Sequence, residues 1–285
     1  MGARGFTFAA LMPHAPILVP EVGRERLASA AASVAAMKAA AVRLVETQPD
    51  TVVVISPHSP RKPGSFGIWM GRRLQGSFSR FDAPDVGVDL PNDLRLAEAI
   101  GQDARNLGLR IWDIHSQALD HGALVPLRYL IAAGWNGPTT VFGLNYPGEG
   151  GLTELGRALA SAVKEVGSSI ALVASGDMSH RLTPDAPEGY EPRARDFDLE
   201  FITRLRRGSF QDLQRFDSGL RELAAEDVVD STIVAAAATN WATAGHEVLS
   251  YEGPFGVGYM VAILSEQGHS REAAHMPVHL NETDP

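Results

Sequence analysis

The sequence predicts an α/β fold: a single domain with a central mixed, largely parallel sheet flanked by helices, and an active site at the strand carboxyl ends. Three observations carry this. The 285 residues are 45% apolar and 21% charged, ordinary globular usage that supplies a substantial core. Runs such as Thr51 to Ile55 (TVVVI) and Ile170 to Ala174 (IALVA) lack polar alternation, as strands buried on both faces do. Between such runs lie alanine- and leucine-rich stretches of helical period, which is the order of βαβ units.

Phe6 to Leu11 reads as a buried strand stopped by Met12-Pro13, and Arg24 to Thr47 as one long helix. Thr51 to Ile55 is the second strand, ended by Ser56-Pro57. Strand, helix and strand in that order predict a right-handed crossover and a parallel pair. Gly64 to Val88, with its glycines and short aromatic runs, reads as hairpin strands or irregular structure. Leu94 to Leu107 is helical in pattern, Arg110 to Ile114 a strand, Gly122 to Ala133 a helix and Thr139 to Leu144 a strand. A helix opens at Gly151-Leu152-Thr153 and runs to about Val166, before the core strand Ile170 to Ala174. Arg195 to Arg206 and Leu220 to Ala242 are the later helices, and Glu247 to Tyr251 and Val257 to Leu264 the last strands. Residues 1–265 are expected to form the catalytic domain, and the polar stretch 266–285 a flexible tail.

The net charge of −9 argues against a nucleic-acid-binding surface. With no cysteine, disulfides, thiolate metal sites and a cysteine nucleophile are excluded. No basic segment followed by a long apolar stretch marks a signal peptide. No run is expected to supply the roughly 20 apolar residues that span a bilayer. A cytoplasmic protein with neither nucleic-acid nor membrane partners is the expectation.

Four histidines stand where an apolar run ends or a helix begins: Met12-Pro13-His14, Ser56-Pro57-His58, Asp120-His121-Gly122 and Asp177-Met178-Ser179-His180. Ligands of open α/β sheets bind along the rim made by the strand carboxyl ends, so these residues can converge there. Prolines around His14 and His58 stiffen the backbone, which suits metal ligands that must be held still. Two histidines and one carboxylate make the facial triad of non-haem Fe(II). Glu222, Glu226, Asp227 and Asp230 lie around the start of the apolar helix Val228 to Ala242, where acidic residues also serve the helix dipole. His180, with no proline frame, suits acid–base work. His121 opens a helix whose dipole favours the neutral imidazole. His115 is either near this set or at the surface, His246 lies at a turn, and His269, His275 and His279 fall in the tail.

Other chemistries lack their signatures. There is no Gly-x-Gly-x-x-Gly after the first strand and no Walker loop. There is no His-Glu-x-x-His pair, and Ser175-Gly176-Asp177 is not a Gly-x-Ser-x-Gly elbow.

The chain resembles the class III extradiol ring-cleavage dioxygenases, typified by the β subunit of protocatechuate 4,5-dioxygenase, and the related Memo-like proteins. The resemblance rests on Met12-Pro13-His14-Ala15-Pro16, Ile55-Ser56-Pro57-His58, Asp120-His121-Gly122-Ala123-Leu124-Val125-Pro126-Leu127, Ser175-Gly176-Asp177-Met178-Ser179-His180, and Ala225-Glu226 with Ser231. These span residues 12 to 231 in the family's order. It implies that His14, His58 and Glu226 bind Fe(II), with Asp227 the alternative carboxylate if the alignment shifts by one residue. It implies that His180 is the catalytic acid–base and that His121 contacts substrate and oxygen. Memo-like relatives carry a cysteine near the third-ligand position, and this chain has none.

The implied reaction is ring cleavage of a catechol or 2-aminophenol with O2, the partners being a small aromatic substrate and O2. A homo-oligomer is expected, and a small partner subunit occurs in some family members. The competing expectations are a Memo-like metal-binding or signalling module without ring cleavage, and a hydrolase using zinc at the same ligands. Arg61, Lys62, Arg72, Arg73 and Arg181 lie near the motifs as candidates for a substrate carboxylate.

Overall fold

The computed structural model describes residues 4–267. In chain order the regular elements are β1 (Gly5–Met12), α1 (Pro20–Gly23), α2 (Ala31–Glu46), β2 (Thr51–Ser56), β3 (Ser65–Trp69), β4 (Arg73–Phe78) and β5 (Ala83–Pro91). Then follow α3 (Leu94–Asn106), β6 (Arg110–Ile114), α4 (His121–Ala132), β7 (Thr139–Gly143), α5 (Leu152–Val166) and β8 (Ser169–Ser175). The last are α6 (Ala194–Arg206), α7 (Ser218–Ala224), α8 (Val228–Ala238), β9 (Glu247–Glu252) and β10 (Tyr259–Glu266).

Eight strands form one sheet in the order β6-β3-β7-β2-β8-β1-β10-β9, and β4 and β5 form a separate hairpin. The four central strands β7, β2, β8 and β1 are mutually parallel. β10 and β9 add antiparallel pairings at one end; at the other, β3 is antiparallel to β7 but parallel to β6. The sheet is therefore mixed, with its parallel part at the centre. Every residue of β2 is buried, because helices cover both faces of a parallel sheet and leave no polar side. One core layer packs α3, α5, α6 and α8 through residues such as Ile100, Leu159, Phe201 and Val234. The other packs α2, α4 and the β4–β5 hairpin through Met37, Leu127 and Leu90. Met12, Ser56, Gly143 and Ser175 end the four parallel strands on one rim.

Several sequence expectations change. β1 and β2 are parallel but not neighbours, since β8 lies between them; consecutive strands adjoin only about two times in three. Arg24 to Thr47 is not one helix: Arg24 takes φ 49° and Arg24–Ala30 is a 3-10 stretch before α2. Leu220 to Ala242 holds two helices separated at Ala225, whose φ is 52°; the second starts at Val228 as expected but ends at Ala238 rather than Ala242. Gly64 to Val88 supplies β3 to the main sheet as well as the hairpin. Glu266, expected in the tail, is a buried residue of β10 paired with Phe8; the rest of the tail, with its three histidines, lies outside the described residues after Gln267. By length and composition alone Pro20–Glu46 is apolar enough to cross a membrane. The run's alanines produce that apolarity. In the fold Met37, Ala40, Ala41 and Leu44 are buried in the core layer against the sheet.

Helices α5 and α8 approach closely because position 156 is glycine. A Cβ there would lie 2.6 Å from Ala237 Cβ and 2.7 Å from the Val234 carbonyl oxygen. Gly156→Ala is therefore expected to lower stability by about 1–3 kcal/mol through overpacking, read as a drop in urea midpoint at unchanged slope.

Candidate metal centre

Pro13 follows the end of β1, and His14 turns into the rim with its N–H donated to Asp177 Oδ1 at 2.9 Å. The residue is 1% exposed. Its Nδ1 lies 2.9 Å from Ser175 Oγ, at the end of β8. Pro57 follows β2 in the same way, and the His58 N–H donates to Ser56 Oγ. The two rings meet edge to face, with His58 Nε2 3.0 Å from His14 Nε2.

The third imidazole comes from the first residue of α4. Asp120 caps that helix by accepting from the Ala123 N–H, and it also accepts from the Ser56 and Ser59 hydroxyls. One carboxylate thus ties the helix start to the β2 end. Only glycine fits at position 122, since a Cβ would come within 2.4 Å of Ser56 Oγ. The His121 ring stands 4.1 Å from His58 and 5.5 Å from His14, centroid to centroid. Donor atoms of His14, His58 and His121 all lie within 4.8 Å of one another, a set that can hold a metal ion.

The break between α7 and α8 decides which carboxylate joins them. Glu226 turns inward to the protein: Oε1 accepts from Arg221 at 2.5 Å, and Oε2 accepts from the Val228 and Val229 N–H groups at 2.7 and 2.8 Å. It fills the open donors at the α8 N-terminus, as a capping side chain does. Asp227 is held by the Asp177 N–H, which donates to its Oδ1 at 2.7 Å. Its Oδ2 then lies 3.3 Å from His14 Nε2 and 3.0 Å from His58 Nε2. The structure brings Asp227 to the imidazoles where the resemblance implied Glu226. Two histidines and Asp227 fit the donor set of non-haem iron; three imidazoles fit zinc as well.

Electrostatics sort these groups. Burial opposes a charge on His14, but Asp177 and Asp227 outweigh it and raise its pKa to about 9. Burial and the neighbouring His58 and His14 push His121 down to about 3, so it is neutral across the physiological range. Burial also disfavours the Asp227 carboxylate, yet His14 and His58 hold it well below the usual range. Asp177, between His14 and its own buried surroundings, is raised by burial.

His180 follows β8 on the same rim but outside the three-ring cluster. Its N–H donates to the Ala224 carbonyl, and its Nδ1 is buried without a hydrogen-bond partner among the described residues. The turn carrying it is fixed from below by Asp198 on α6, which is fully buried and accepts from the Ser179 N–H and the Tyr251 hydroxyl. Burial raises the Asp198 pKa to about 7 against the pull of those donors. A carboxyl raised in the fold contributes stability that is complete below its unfolded pKa and lost as pH rises through 7. Stability is therefore expected to fall by a few kcal/mol at most between about pH 4, the pKa of an unfolded aspartate, and pH 7. Urea titrations of Asp198→Asn should show that slope flattened.

Other candidates separate cleanly. His246 bonds the Thr243 carbonyl at a turn, and His115 is exposed. Arg73 pairs with Asp89, Lys62 lies over the Trp112 ring, and Arg181 donates to the Leu223 carbonyl. Arg61 lines a cavity of about 150 Å³ together with His58, Asp227 and Leu144. Sequence reasoning gave Ser175 and Asp177 no role, although they hold His14 and Asp227 in place. Their signal is position: both stand at the rim, at or just beyond the end of a buried strand.

Residues 8–262 match the family described as the catalytic LigB subunit of aromatic ring-opening dioxygenase. Protein CA_C1420 of Clostridium acetobutylicum is 30% identical over 267 residues, covering 89% of this chain and 56% of that protein. The 3,4-dihydroxyphenylacetate 2,3-dioxygenase of Escherichia coli is 25% identical over 181 residues, covering 57% of this chain and 63% of the enzyme. The chain thus spans somewhat over half the length of these curated relatives. The crystal structure of the uncharacterized protein JW3007 from Escherichia coli K12 shares the fold, with a TM-score of 0.61 at 18% identity over 90% of this chain and 98% of that one. With its rim of histidines and a family match running from β1 into β10, the chain belongs to the family of the catalytic LigB subunit of aromatic ring-opening dioxygenases.

Proposed function

We propose that the protein is a non-haem Fe(II)-dependent extradiol dioxygenase that opens the ring of a catechol or 2-aminophenol with O2. The observation that carries this is Asp227 Oδ2 at 3.3 and 3.0 Å from the Nε2 atoms of His14 and His58. That is a two-histidine, one-carboxylate face with room beside it. The relative named as a dioxygenase of 3,4-dihydroxyphenylacetate supports a catechol-type substrate. His14, His58 and Asp227 would hold a ferrous ion, which would supply the electrons needed to activate O2.

The protein's own groups do the rest. His121 is neutral, so it offers an N–H to a developing negative oxygen without adding a charge beside the metal. His180 has a ring nitrogen free of protein partners among the described residues, and on this reading it takes the substrate's hydroxyl proton and returns it later. The cavity beside His58 and Asp227 is where this reading seats the aromatic ring.

The test is oxygen uptake by protein loaded with ferrous iron, over a panel of catechols and 2-aminophenols. The expected result is uptake equimolar with a ring-opened product. His180→Ala should keep its iron and lose about 10²–10⁴-fold in kcat. A full complement of iron with no uptake on any panel member would instead favour the Memo-like binding module.

A further inference from the structure

We infer that Ser175 is a positioning residue that keeps a proton on His14 Nδ1 and so reserves Nε2 for the metal, and that Pro126 directs it to do so. The inference rests on the proposed iron site only for its purpose; the hydrogen-bond arrangement stands on its own.

The chain of causes begins in α4, which contains Pro126 in its interior. Proline has no N–H, so the carbonyl four residues back loses its helical donor. That carbonyl belongs to Gly122, and it is buried at the rim beside β8. It accepts instead from the Ser175 hydroxyl, at 2.6 Å. Ser175 is fully buried, so no water competes for either partner.

A hydroxyl carries one hydrogen. With that hydrogen directed to Gly122, Ser175 Oγ faces His14 Nδ1 at 2.9 Å with only lone pairs to offer. Nδ1 must therefore be the donor. The opposite assignment sets two lone pairs against each other or strips the Gly122 carbonyl of its donor. Nε2 points the other way, to His58 Nε2 and Asp227 Oδ2. In the metal-free protein Asp227 also attracts a proton to Nε2, so the discriminating observation is which nitrogen keeps the proton once the ring holds only one. Metal-binding histidines are commonly oriented in this way by an acceptor on the second nitrogen, and loss of it costs about 10–100-fold in metal affinity.

The test has two readouts. In metal-free protein above about pH 9, where the His14 ring carries a single proton, long-range 1H–15N correlation spectra are expected to place that proton on Nδ1, protected from exchange. Ser175→Thr should preserve this signal, and Ser175→Ala should lose the protection. Ferrous-ion affinity, measured by chelator competition, should fall about 10–100-fold in Ser175→Ala and return in Ser175→Thr. A loss of packing alone would lower Tm without producing that pattern. An unprotonated Nδ1 in the wild type overturns the inference even if Ser175→Ala does not fold, and so does a Ser175→Ala protein that binds the ion as tightly as the wild type. Protonated, protected Nδ1 in a wild-type protein that binds no ferrous ion would support the hydrogen-bond assignment and sink the metal reading alone.

Discussion

Asp227→Ala is expected to lower ferrous-ion affinity by more than about 100-fold, beyond the loss typical for a group that merely supports a ligand, and to abolish oxygen uptake. The carboxylate is placed for this from both ends. One oxygen is fixed by the Asp177 N–H, and the other faces both imidazole nitrogens. His121→Ala is the matched control: it should retain the ion and lose turnover. Equal loss of iron in the two variants would assign the site to the three imidazoles instead. An Asp227→Ala protein that holds iron and turns over would sink the proposal. Equilibrium dialysis with iron quantitation, run beside an oxygen electrode, separates these cases.

Glu226→Ala should behave in the opposite way, as a lesion in stability. It removes an inward carboxylate that is 1% exposed, leaves Arg221 with Asp230 alone, and strips two N–H groups at the α8 N-terminus of their acceptor. Breaking a buried ion pair costs about 3–5 kcal/mol. Burial raises the Glu226 pKa although Arg221 pulls it down, so the milder Glu226→Gln variant keeps much of the packing without the charge. It should lose less stability and bind iron within a few-fold of the wild type. Thermal unfolding and iron affinity measured on the same sample decide this. If Glu226→Gln loses iron as completely as Asp227→Ala, Glu226 is the ligand.

The contrast between these neighbours marks where sequence reasoning ran out. His14 and His58 were legible because each follows a run of buried strand cut by proline, a pattern that puts a side chain on the rim whatever the strand order. The continuous apolar runs of β2 and β8 likewise announced a parallel centre. The carboxylate was harder. The apolar helix is expected to start at Val228, but Ala224-Ala225 just before it are strong helix formers, so nothing local announces that Ala225 turns left-handed. On either side of that turn the Asp227 N–H donates to the Asp177 carbonyl and the Ala224 carbonyl accepts from the His180 N–H. The turn determines that Glu226 faces the α8 backbone while Asp227 faces the histidines. β3 escaped for a related reason, since a five-residue strand between glycine-rich segments is defined by its neighbours β6 and β7. His180 stands just beyond β8, as its sequence position predicts; the buried support of its turn, Asp198, comes from a helix with no motif to flag it.

The placement of β8 between β1 and β2 also sets a distance. Neighbouring strands lie about 4.8 Å apart, so the strands bearing His14 and His58 are separated by roughly 10 Å. Side chains rooted that far apart can lean inward and meet tip to tip, as the 3.0 Å approach of their Nε2 atoms shows. The intervening strand works as a spacer one strand wide, and its own last residue, Ser175, lies against the Nδ1 side of the His14 ring. The sheet's strand order is thus a ruler for the two histidines, setting the spacing of the strand ends from which they project.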